Sequence, residues 1–503
     1  MRRRDLRKGG RSLGLLAVAV AVPLVFVTIR PVSAAVLGDT TISGPSPFAG
    51  CSNAGLPGNV GNAEVEPWVV VNPLNPSNVV AAWQQDRWGD PYEGGAHGLL
   101  AWSSSDGGTT GASSSAPFTT CSGGTAANNG NYDRASDVWL SYGPDGAVYQ
   151  SALVFDEFTS RNGIAVSKST DGGTTWGNPV MIDRQNQKSF IHGDDKESIT
   201  ADPYRPGYVY AVWDRYSNQN PIYTDGHGQN ANKGPAYFSR STNGGSTWSV
   251  ATPIYAKNNG TLANQIVVLP NGTLLDYFTE YIAKNVKGGV ARSTRLSELR
   301  STDQGAHWSL HPIVVSAMTA LGAFDPNTFA YIRGGDGLFD VAVDPGSGGL
   351  YAVWQDRRFN GIDQVAFSKS TNGGFTWSTP VEVNRTPPNA DPYDEQAFTP
   401  SVDVSSNGTV AVTYYDFRNN TGGPGTPTDY WAVTSSDGGT TWGSETRLTA
   451  TSFNAQMAPE ANGVMIGDYE GLTHSGSTFI AAFEVANDDP GNPTDINLAR
   501  FTP

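Results

Sequence analysis

Short runs of β-branched and aromatic residues recur along most of the chain, and turns rich in Pro, Asn and Gly separate them. Two such turns are Pro144-Asp145-Gly146 and Pro270-Asn271-Gly272. Seven of the runs end in an acidic residue: Val79–Asp86, Val148–Asp156, Tyr208–Asp214, Thr273–Glu280, Leu350–Asp356, Val410–Asp416 and Phe479–Glu484. The pattern predicts antiparallel strands that are arranged in repeated units.

A second repeat, Ser-x-Asp/Asn-x-Gly-x-x-Trp, follows each of the first six runs. The full copies are Ser169–Trp176, Ser241–Trp248, Ser301–Trp308, Ser370–Trp377 and Ser435–Trp442, and Ser104–Gly111 is a copy without the tryptophan. Asp, Asn and Gly in this order are typical of a tight turn that side-chain hydrogen bonds stabilise. We therefore interpret this motif, called the box below, as structural and not catalytic.

The boxes lie about 66 residues apart, which is the length of one four-stranded unit. Within a unit the order is strand 1, turn, strand 2, loop, strand 3, box and strand 4. Four antiparallel strands repeated around an axis form a β-propeller. The seven acidic-ended runs predict seven blades, with six as the alternative. The last unit lacks a fourth strand, which residues near Thr40–Ser46 are expected to supply.

The box resembles the Asp-box, or BNR repeat, of sialidases and related secreted propellers. The resemblance covers nearly all of the chain after its first residues, and it implies a propeller that acts on glycans. Sialidases have six blades, which is why six remains the alternative here.

The first 34 residues have the features of an export signal. Basic residues including Arg2, Arg3 and Arg4 precede an apolar stretch from Leu13 to Ile29, and Val32-Ser33-Ala34 offers a cleavage site. An uncleaved membrane anchor is the alternative, and a twin-arginine signal is a weaker match. We expect a secreted, extracellular protein with a single domain, 35–503.

The composition and net charge of the chain bear on its fold and on its binding partners. The chain has 59 Gly and 32 Pro with only 16% charged residues, which favours turn-rich β structure. Removing residues 1–34 takes away seven Lys or Arg and one Asp, so the net charge changes from −15 to −21. Such an acidic surface argues against nucleic acid and membrane surfaces as partners. We expect a monomer.

The two cysteines, Cys51 and Cys121, are predicted to form one disulfide between the N-terminal arm and the first unit. The six histidines show no zinc-ligand spacing. No cofactor is expected, although calcium is possible at Asp488, Asp489 and Asp495, whose spacing is not that of an EF-hand. A solvated acidic loop is the alternative for these aspartates.

Because strand direction alternates, strand-1 starts and strand-2 ends lie on the face opposite the boxes. Four strand-2 ends carry both Asp and Arg, namely Asp86-Arg87, Asp214-Arg215, Asp356-Arg357-Arg358 and Asp416 with Arg418. Strand 1 begins near Glu66, Asp137, Glu197, Gln265, Asp336, Gln396 and Asp468. This face is predicted to bind a carboxylate or polyol, because guanidinium pairs with carboxylate while Asp accepts from hydroxyls. A structural ring of ion pairs between blades is the alternative.

The sialidase resemblance implies a tyrosine nucleophile, a glutamate that activates it, an aspartate acid/base and three arginines on the substrate carboxylate. Gly467-Asp468-Tyr469-Glu470-Gly471 resembles the tyrosine segment of the family, and Glu484 resembles the glutamate that orients an arginine. On this basis the candidates are Tyr469 as nucleophile, Glu197 as base and Asp86 or Asp90 as acid/base. The anion clamp is predicted at Arg215, Arg358 and Arg418, with Arg87 as substitute.

Other positions depart from the family. Val65-Glu66-Pro67 stands where the family has Arg-Ile-Pro, so the first arginine is missing. The strand-1 glutamate and strand-2 arginine of a later unit are replaced by Asn264 and Glu280, and Glu197 with Arg215 has that layout one unit earlier. The leading hypothesis is a secreted, sialidase-like glycoside hydrolase that acts on extracellular glycans. The alternative is a non-catalytic propeller that binds glycan or protein.

Overall fold

The computed structural model describes residues 35–51, 57–91, 94–186, 192–217, 221–224, 230–232, 234–255, 259–286 and 289–503. The predicted signal peptide, 1–34, lies outside these ranges. The described part is all-β, and its helical segments are short 3₁₀ turns such as Pro392–Glu395 and Ala455–Met457. None of its helices is long and apolar enough to span a membrane.

The first strand, β1 (Ala35–Thr41), belongs to the last sheet of the chain. Unit 1 contains β2 (Glu64–Val71), β3 (Val79–Arg87), β4 (Ala96–Ser104) and β5 (Ala112–Ser115). Unit 2 contains β6 (Arg134–Tyr142), β7 (Val148–Phe155), β8 (Arg161–Ser169) and β9 (Val180–Met181), with β10 (Gln185–Asn186) also paired to β8. Unit 3 contains β11 (His192–Ala201), β12 (Val209–Ser217), the hairpin of β13 (Pro221–Thr224) and β14 (Asn230–Asn232), then β15 (Ala236–Ser241) and β16 (Thr252–Tyr255).

The second half of the chain forms further four-stranded units of the same kind. Unit 4 contains β17 (Gly260–Val268), β18 (Leu274–Val286), β19 (Gly289–Ser301) and β20 (Ile313–Met318), and β21 (Ala323–Phe324) and β22 (Tyr331–Arg333) follow it. Unit 5 contains β23 (Phe339–Val343), β24 (Leu350–Asp356), β25 (Gln364–Ser370) and β26 (Val381–Glu382). Unit 6 contains β27 (Ala397–Val404), β28 (Val410–Asp416), β29 (Pro427–Ser435) and β30 (Thr446–Arg447), with β31 (Phe453–Asn454) on β29. After β32 (Val464–Met465), unit 7 contains β33 (Gly471–Ser475), β34 (Thr478–Ala486), β35 (Thr494–Thr502) and β1.

The N-terminal segment therefore completes the last unit, because β1 pairs antiparallel with β35. Its strand lies at Ala35–Thr41, a few residues before the predicted Thr40–Ser46. The first strands of consecutive units contact one another in a cycle that returns from β33 to β2. Buried hydrophobic clusters fill the spaces between consecutive units, and one of them joins Ile480 and Leu498 of unit 7 to Trp83 of unit 1.

The boxes are turns that also join neighbouring units. In the last box, Asp437 Oδ1 accepts from the backbone N–H of Thr440 (2.9 Å) and Thr441 (2.8 Å), while Ser435 Oγ accepts from Gly439 N–H (2.8 Å). Both Gly438 and Gly439 have positive φ, which explains the paired glycines. The box tryptophan packs on the preceding unit, as Trp442 does edge-on against Phe367 with ring centroids 4.9 Å apart.

A small additional sheet lies between units. Strand β22 pairs antiparallel with β21 and parallel with β32, so segments that flank unit 5 and unit 7 meet. The sequence pattern predicts no strand in the segments of β21, β22 or β32. This sheet positions Arg333 and the residues after it, Gly334–Asp336, beside the first strands of the units.

Candidate functional site

The first strands carry a repeated β-bulge at the end where they begin. Register shifts occur in β2, β6, β11, β17 and β27, and the residues in left-handed backbone at these bulges are Glu66, Asp137, Lys196, Ala263 and Thr399. A bulge inserts a residue into the strand and redirects its side chain. The sequence shows three of these positions as charged, and the bulges bring them together.

Two neighbouring cavities lie at this end of the strands. The outer cavity, of about 630 Å³, is called the funnel below, and the inner channel has about 40 Å³. Asp137, Lys196, Gly335, Leu338 and Asp468 line both. The funnel has room for sugars, whereas the channel is much smaller.

An ion network separates the two cavities. Lys196 Nζ contacts Asp137 Oδ1 (2.9 Å), Asp468 Oδ2 (2.9 Å) and Glu66 Oε1 (3.6 Å). Arg333 binds Asp468 with both Nε (2.9 Å) and Nη2 (2.8 Å). Burial alone would raise the pKa of Asp468, but Arg333 and Lys196 hold it well below its ordinary value. Asp468, at the floor of the funnel, is therefore ionised and held by two cationic side chains.

Arg87 lines the funnel and has a buried guanidinium. It lies at the end of β3 and is 3% exposed, and its Nε and Nη1 atoms have no hydrogen-bond partner among the described residues. Burial and the nearby Arg333 lower the pKa of Arg87, which shows that its positive charge is poorly compensated. A buried cation with free donors at a cavity wall is suited to an anionic ligand.

A tyrosine and two aspartates supply reactive groups in the same cavity. The Tyr331 hydroxyl donates to Asp336 Oδ1 at 2.5 Å, and both side chains line the funnel. Asp195 also lines it, and burial together with Asp137 raises the pKa of Asp195 to about 6. The funnel thus contains the phenol of Tyr331 beside the carboxylate of Asp336, and a second carboxyl, Asp195, that is protonated below about pH 6.

Tyr469 and Glu197, the predicted nucleophile and base, line the inner channel. The Tyr469 hydroxyl donates to the carbonyl oxygen of Val138 (3.2 Å), and its ring packs against both Trp68 and Trp139, which stack on each other. Both Glu197 carboxylate oxygens are buried and have no hydrogen-bond partner in the part of the chain that the structure describes, and burial raises the pKa of Glu197 well above 4.5. A protonated carboxyl does not act as a base, and the channel offers much less space than the funnel.

The predicted acid/base candidates lie elsewhere. Asp86 lines neither cavity, and its oxygens accept from Ser46 Oγ (2.6 Å), Asn62 N–H (2.8 Å) and His97 Nδ1 (3.0 Å). These bonds attach the N-terminal arm to unit 1. Asp90 is exposed and accepts from the N–H of Asn462 (3.1 Å), a residue at the funnel rim.

The structure does not gather Arg215, Arg358 and Arg418 at a cavity. Arg215 contacts Asp194 (2.8 Å) and Asp183, Arg358 contacts Asp356 (2.5 Å), and Arg418 contacts Asp416 and Glu445 (2.5 Å each). Neither cavity has any of the three in its lining, which differs from the predicted clamp. The reason is that each arginine is paired with nearby acids of strands and loops, which are Asp183 and Asp194 for Arg215, Asp356 for Arg358, and Asp416 and Glu445 for Arg418.

Glu484 lies in a buried group of glutamates that also includes Glu64, Glu66 and Glu470. Neither Glu484 carboxylate oxygen has a partner among the described residues, and burial raises its pKa well above 4.5. It lines neither cavity, so the structure gives it no contact with a ligand in the funnel.

Cys51 and Cys121 form the predicted disulfide. Two of the calcium candidates bind protein groups: Asp495 accepts from Asn487 (2.7 Å) and Asn492 (3.1 Å) of its own loop and from Ser43 (2.8 Å) of the N-terminal segment, and Asp489 accepts from Gly491 N–H (2.8 Å). Within the described residues no group of three or more His, Cys, Asp or Glu is arranged to hold a metal ion.

Asp137, Asp336, Asp468 and Arg87, which the sequence pattern predicts on one face, line the funnel, whereas Lys196, Asp195, Tyr331 and Arg333 were not singled out from the sequence. Lys196 directly precedes Glu197 in the strand. A bulge of one residue at this point therefore decides which of the two side chains lines the funnel, and it is Lys196. Tyr331 and Arg333 lie in the added β22, and their only sequence signal is the Gly334-Gly335 pair that follows them.

Comparisons with known proteins give structural similarity alone. No protein family and no curated protein sequence matches the chain. Among solved structures, it is similar to an α-L-arabinanase of Penicillium chrysogenum in complex with arabinobiose (13% identity, 92% of this chain and 98% of that chain, TM-score 0.45). It is also similar to a Hadza microbial sialidase (16%, 84% and 75%, 0.45) and to a leech intramolecular trans-sialidase (12%, 88% and 90%, 0.44). These structural neighbours are glycoside hydrolases.

Proposed function

We propose that this protein is a secreted, sialidase-like glycoside hydrolase that removes an acidic sugar from extracellular glycans. The observation that carries the proposal is the buried Arg87 guanidinium, which lines a cavity of about 630 Å³ and has two nitrogen atoms without a partner among the described residues. A sugar carboxylate would supply both the missing charge and the missing acceptors, and such a bond contributes roughly 1.5–3 kcal/mol. Arg333 beside it adds to the positive potential at that point.

Within the funnel we assign Tyr331 as nucleophile, Asp336 as its base and Asp195 as general acid. The Tyr331 oxygen attacks the anomeric carbon while its proton passes to Asp336, and Asp195 protonates the departing glycosidic oxygen. Asp195 then accepts a proton from the water that attacks the anomeric carbon, and as the bond from that carbon to the Tyr331 oxygen breaks, Asp336 returns its proton to Tyr331. A neutral phenol is suited to this role because an anionic nucleophile would repel a carboxylate-bearing sugar.

Tyr469 and Glu197 form the second candidate pair. Their use would require the channel to widen well beyond its 40 Å³. Tyr331→Phe and Tyr469→Phe separate the two assignments, because each substitution removes a hydroxyl and keeps the ring. We expect Tyr331→Phe to lower kcat by at least about 100-fold and Tyr469→Phe to change it little.

The proposed architecture is a seven-bladed propeller formed by residues 35–503 as one domain. Its support is the cycle of first-strand contacts and the completion of unit 7 by β1. Export is supported by the basic and apolar pattern of residues 1–34, and the Cys51–Cys121 disulfide is typical of an oxidising compartment.

The activity is tested with aryl sialosides, aryl uronides and neutral aryl arabinosides and galactosides. Hydrolysis of an acidic glycoside that Arg87→Met lowers selectively is the expected result. Turnover of neutral glycosides alone would contradict the acidic-sugar assignment. No turnover on the whole panel, together with measurable binding on a glycan array, would identify the protein as the non-catalytic binder that the sequence leaves open.

A further inference from the structure

Four aromatic rings form a continuous row from the funnel to the protein surface. Tyr331 lines the funnel, and the ring of Phe324 lies 5.9 Å from it between centroids. Tyr393 follows at 6.4 Å from Phe324, and Phe329 at 5.0 Å from Tyr393. Phe329 is 60% exposed, so the row, called the aromatic row below, ends in solvent.

The exposed end of the row is held in a strained conformation. Phe329 has φ +58°, which is costly for a bulky residue. Buried Asp325 enforces it, because Asp325 Oδ1 accepts from the N–H of Asn327 (2.7 Å) and its carbonyl accepts from Phe329 N–H (2.8 Å). Its other oxygen, Oδ2, accepts from Thr426 Oγ1 and Gln456 Nε2, both at 2.7 Å. The turn is thus fixed with its aromatic ring outward.

A second buried residue fixes the middle of the row. Gln396 accepts from Phe324 N–H (2.8 Å) and donates to the carbonyl oxygens of Phe324 and Tyr393, both at 2.7 Å. Asn420 bridges the same two segments by donating to Asp394 (2.7 Å) and Asn327 (3.1 Å). The row is therefore preorganised, which reduces the entropy that a ligand loses on binding.

We propose that the aromatic row binds further sugar units of a glycan whose terminal acidic sugar occupies the funnel. The inference rests on the proposed function and makes the substrate an oligosaccharide or polysaccharide rather than a short glycoside. The apolar faces of sugar rings stack on aromatic side chains, and the row is continuous with the funnel wall at Tyr331. This continuity favours a glycan chain over a protein as its occupant.

The test compares Phe329→Ala with Phe375→Ala, a matched control whose phenylalanine is 62% exposed on a box turn. The substrates are an aryl sialoside and sialic acid oligomers from dimer to hexamer. We expect kcat/KM of the unaltered protein to rise with chain length. Phe329→Ala should lower it about tenfold for the hexamer and leave the aryl sialoside nearly unchanged. Phe329→Trp should keep the length dependence, and the control should behave as the unaltered protein.

A stability measurement distinguishes a loss of glycan binding from a loss of folding. Phe329→Gly removes both the ring and the backbone strain, so it should be at least as stable as the unaltered protein while losing the length dependence. An equal loss on short and long substrates, or an unchanged length dependence in Phe329→Ala, would overturn the inference and leave the proposed function intact.

If no glycoside is hydrolysed, the aromatic row is tested by calorimetry, which measures binding of the sialic acid oligomers and of an oligogalacturonide series. Affinity that rises with length and depends on Phe329 would support the aromatic row although the proposed hydrolase activity had failed. Binding that does not depend on Phe329 at any length would refute it.

Discussion

Replacing Arg87 by Met should make the protein more stable and less able to bind an acidic sugar. The guanidinium is buried at 3% exposure, and two of its nitrogen atoms lack partners among the described residues. Each unsatisfied buried donor costs roughly 1–3 kcal/mol, and the attraction to Glu66, Asp137 and Asp468 recovers part of this. Methionine keeps most of the volume without these donors. We therefore expect the free energy of unfolding to rise by about 2 kcal/mol.

Binding should change in the opposite direction. Loss of a charge-assisted hydrogen bond of roughly 1.5–3 kcal/mol weakens the affinity for a sugar carboxylate by about 10- to 150-fold. The affinity for a neutral sugar of the same size should stay nearly constant. Urea denaturation gives the stability, and calorimetry with sialic acid and a neutral hexose gives the binding.

Arg161→Met is the matched control at the same cavity. Arg161 is paired, because its Nε and Nη2 atoms donate to the two oxygens of Asp156 at 2.7 Å each. Its removal should lower the free energy of unfolding by about 1 kcal/mol, since the pair is partly exposed. If Arg87→Met also destabilises the protein, or weakens neutral and acidic sugars equally, Arg87 is a structural ion-pair partner and the argument for an acidic ligand fails.

Three further outcomes follow from the structure. Burial raises the pKa of Asp195 to about 6, so a general acid at this position loses its proton as pH rises through 6, and kcat/KM should fall over that range. Asp195→Asn should remove this fall from the pH profile and lower kcat/KM roughly 100-fold at pH 5. Cys51→Ser with Cys121→Ser opens a link across a sequence separation of 70 residues and should cost about 2–5 kcal/mol in urea denaturation, with KM unchanged. Asp437→Ala removes the acceptor of a box turn, and calorimetry should show a lower Tm, corresponding to about 1 kcal/mol, while activity per folded molecule stays constant; a changed KM would contradict a structural role for the box.

The repeated elements were predictable because their determinants are local. Each box contains its own turn donors, acceptors and glycines, so the sequence places the link between strands 3 and 4 without knowledge of the fold. The alternation of apolar runs and turns likewise places strand 2 of each unit. The disulfide followed from having two cysteines in a chain with export features.

The site was harder to predict because it depends on register. A one-residue bulge in β11 directs Lys196 to the ion network, and its neighbour Glu197 lines the channel but not the funnel. Strand periodicity alone cannot show such a shift, since each slip of one residue exchanges the two faces. The pairing of Tyr331 with Asp336 depends on β22, which forms only because β32 supplies a partner from far along the chain.

Strain and unsatisfied charge coincide at one end of the molecule, which supports the funnel as the site independently of any single residue. Glu66, Asp137 and Lys196 adopt left-handed backbone inside strands, where a residue other than glycine pays a conformational cost. Arg87 is buried close to them without full compensation. The last box, in contrast, has its positive φ values at Gly438 and Gly439, and Ser435 and Asp437 accept hydrogen bonds from its backbone N–H groups. A ligand that binds beside the strained and incompletely compensated residues would stabilise the protein, because a bound anion supplies charge that Arg87 lacks.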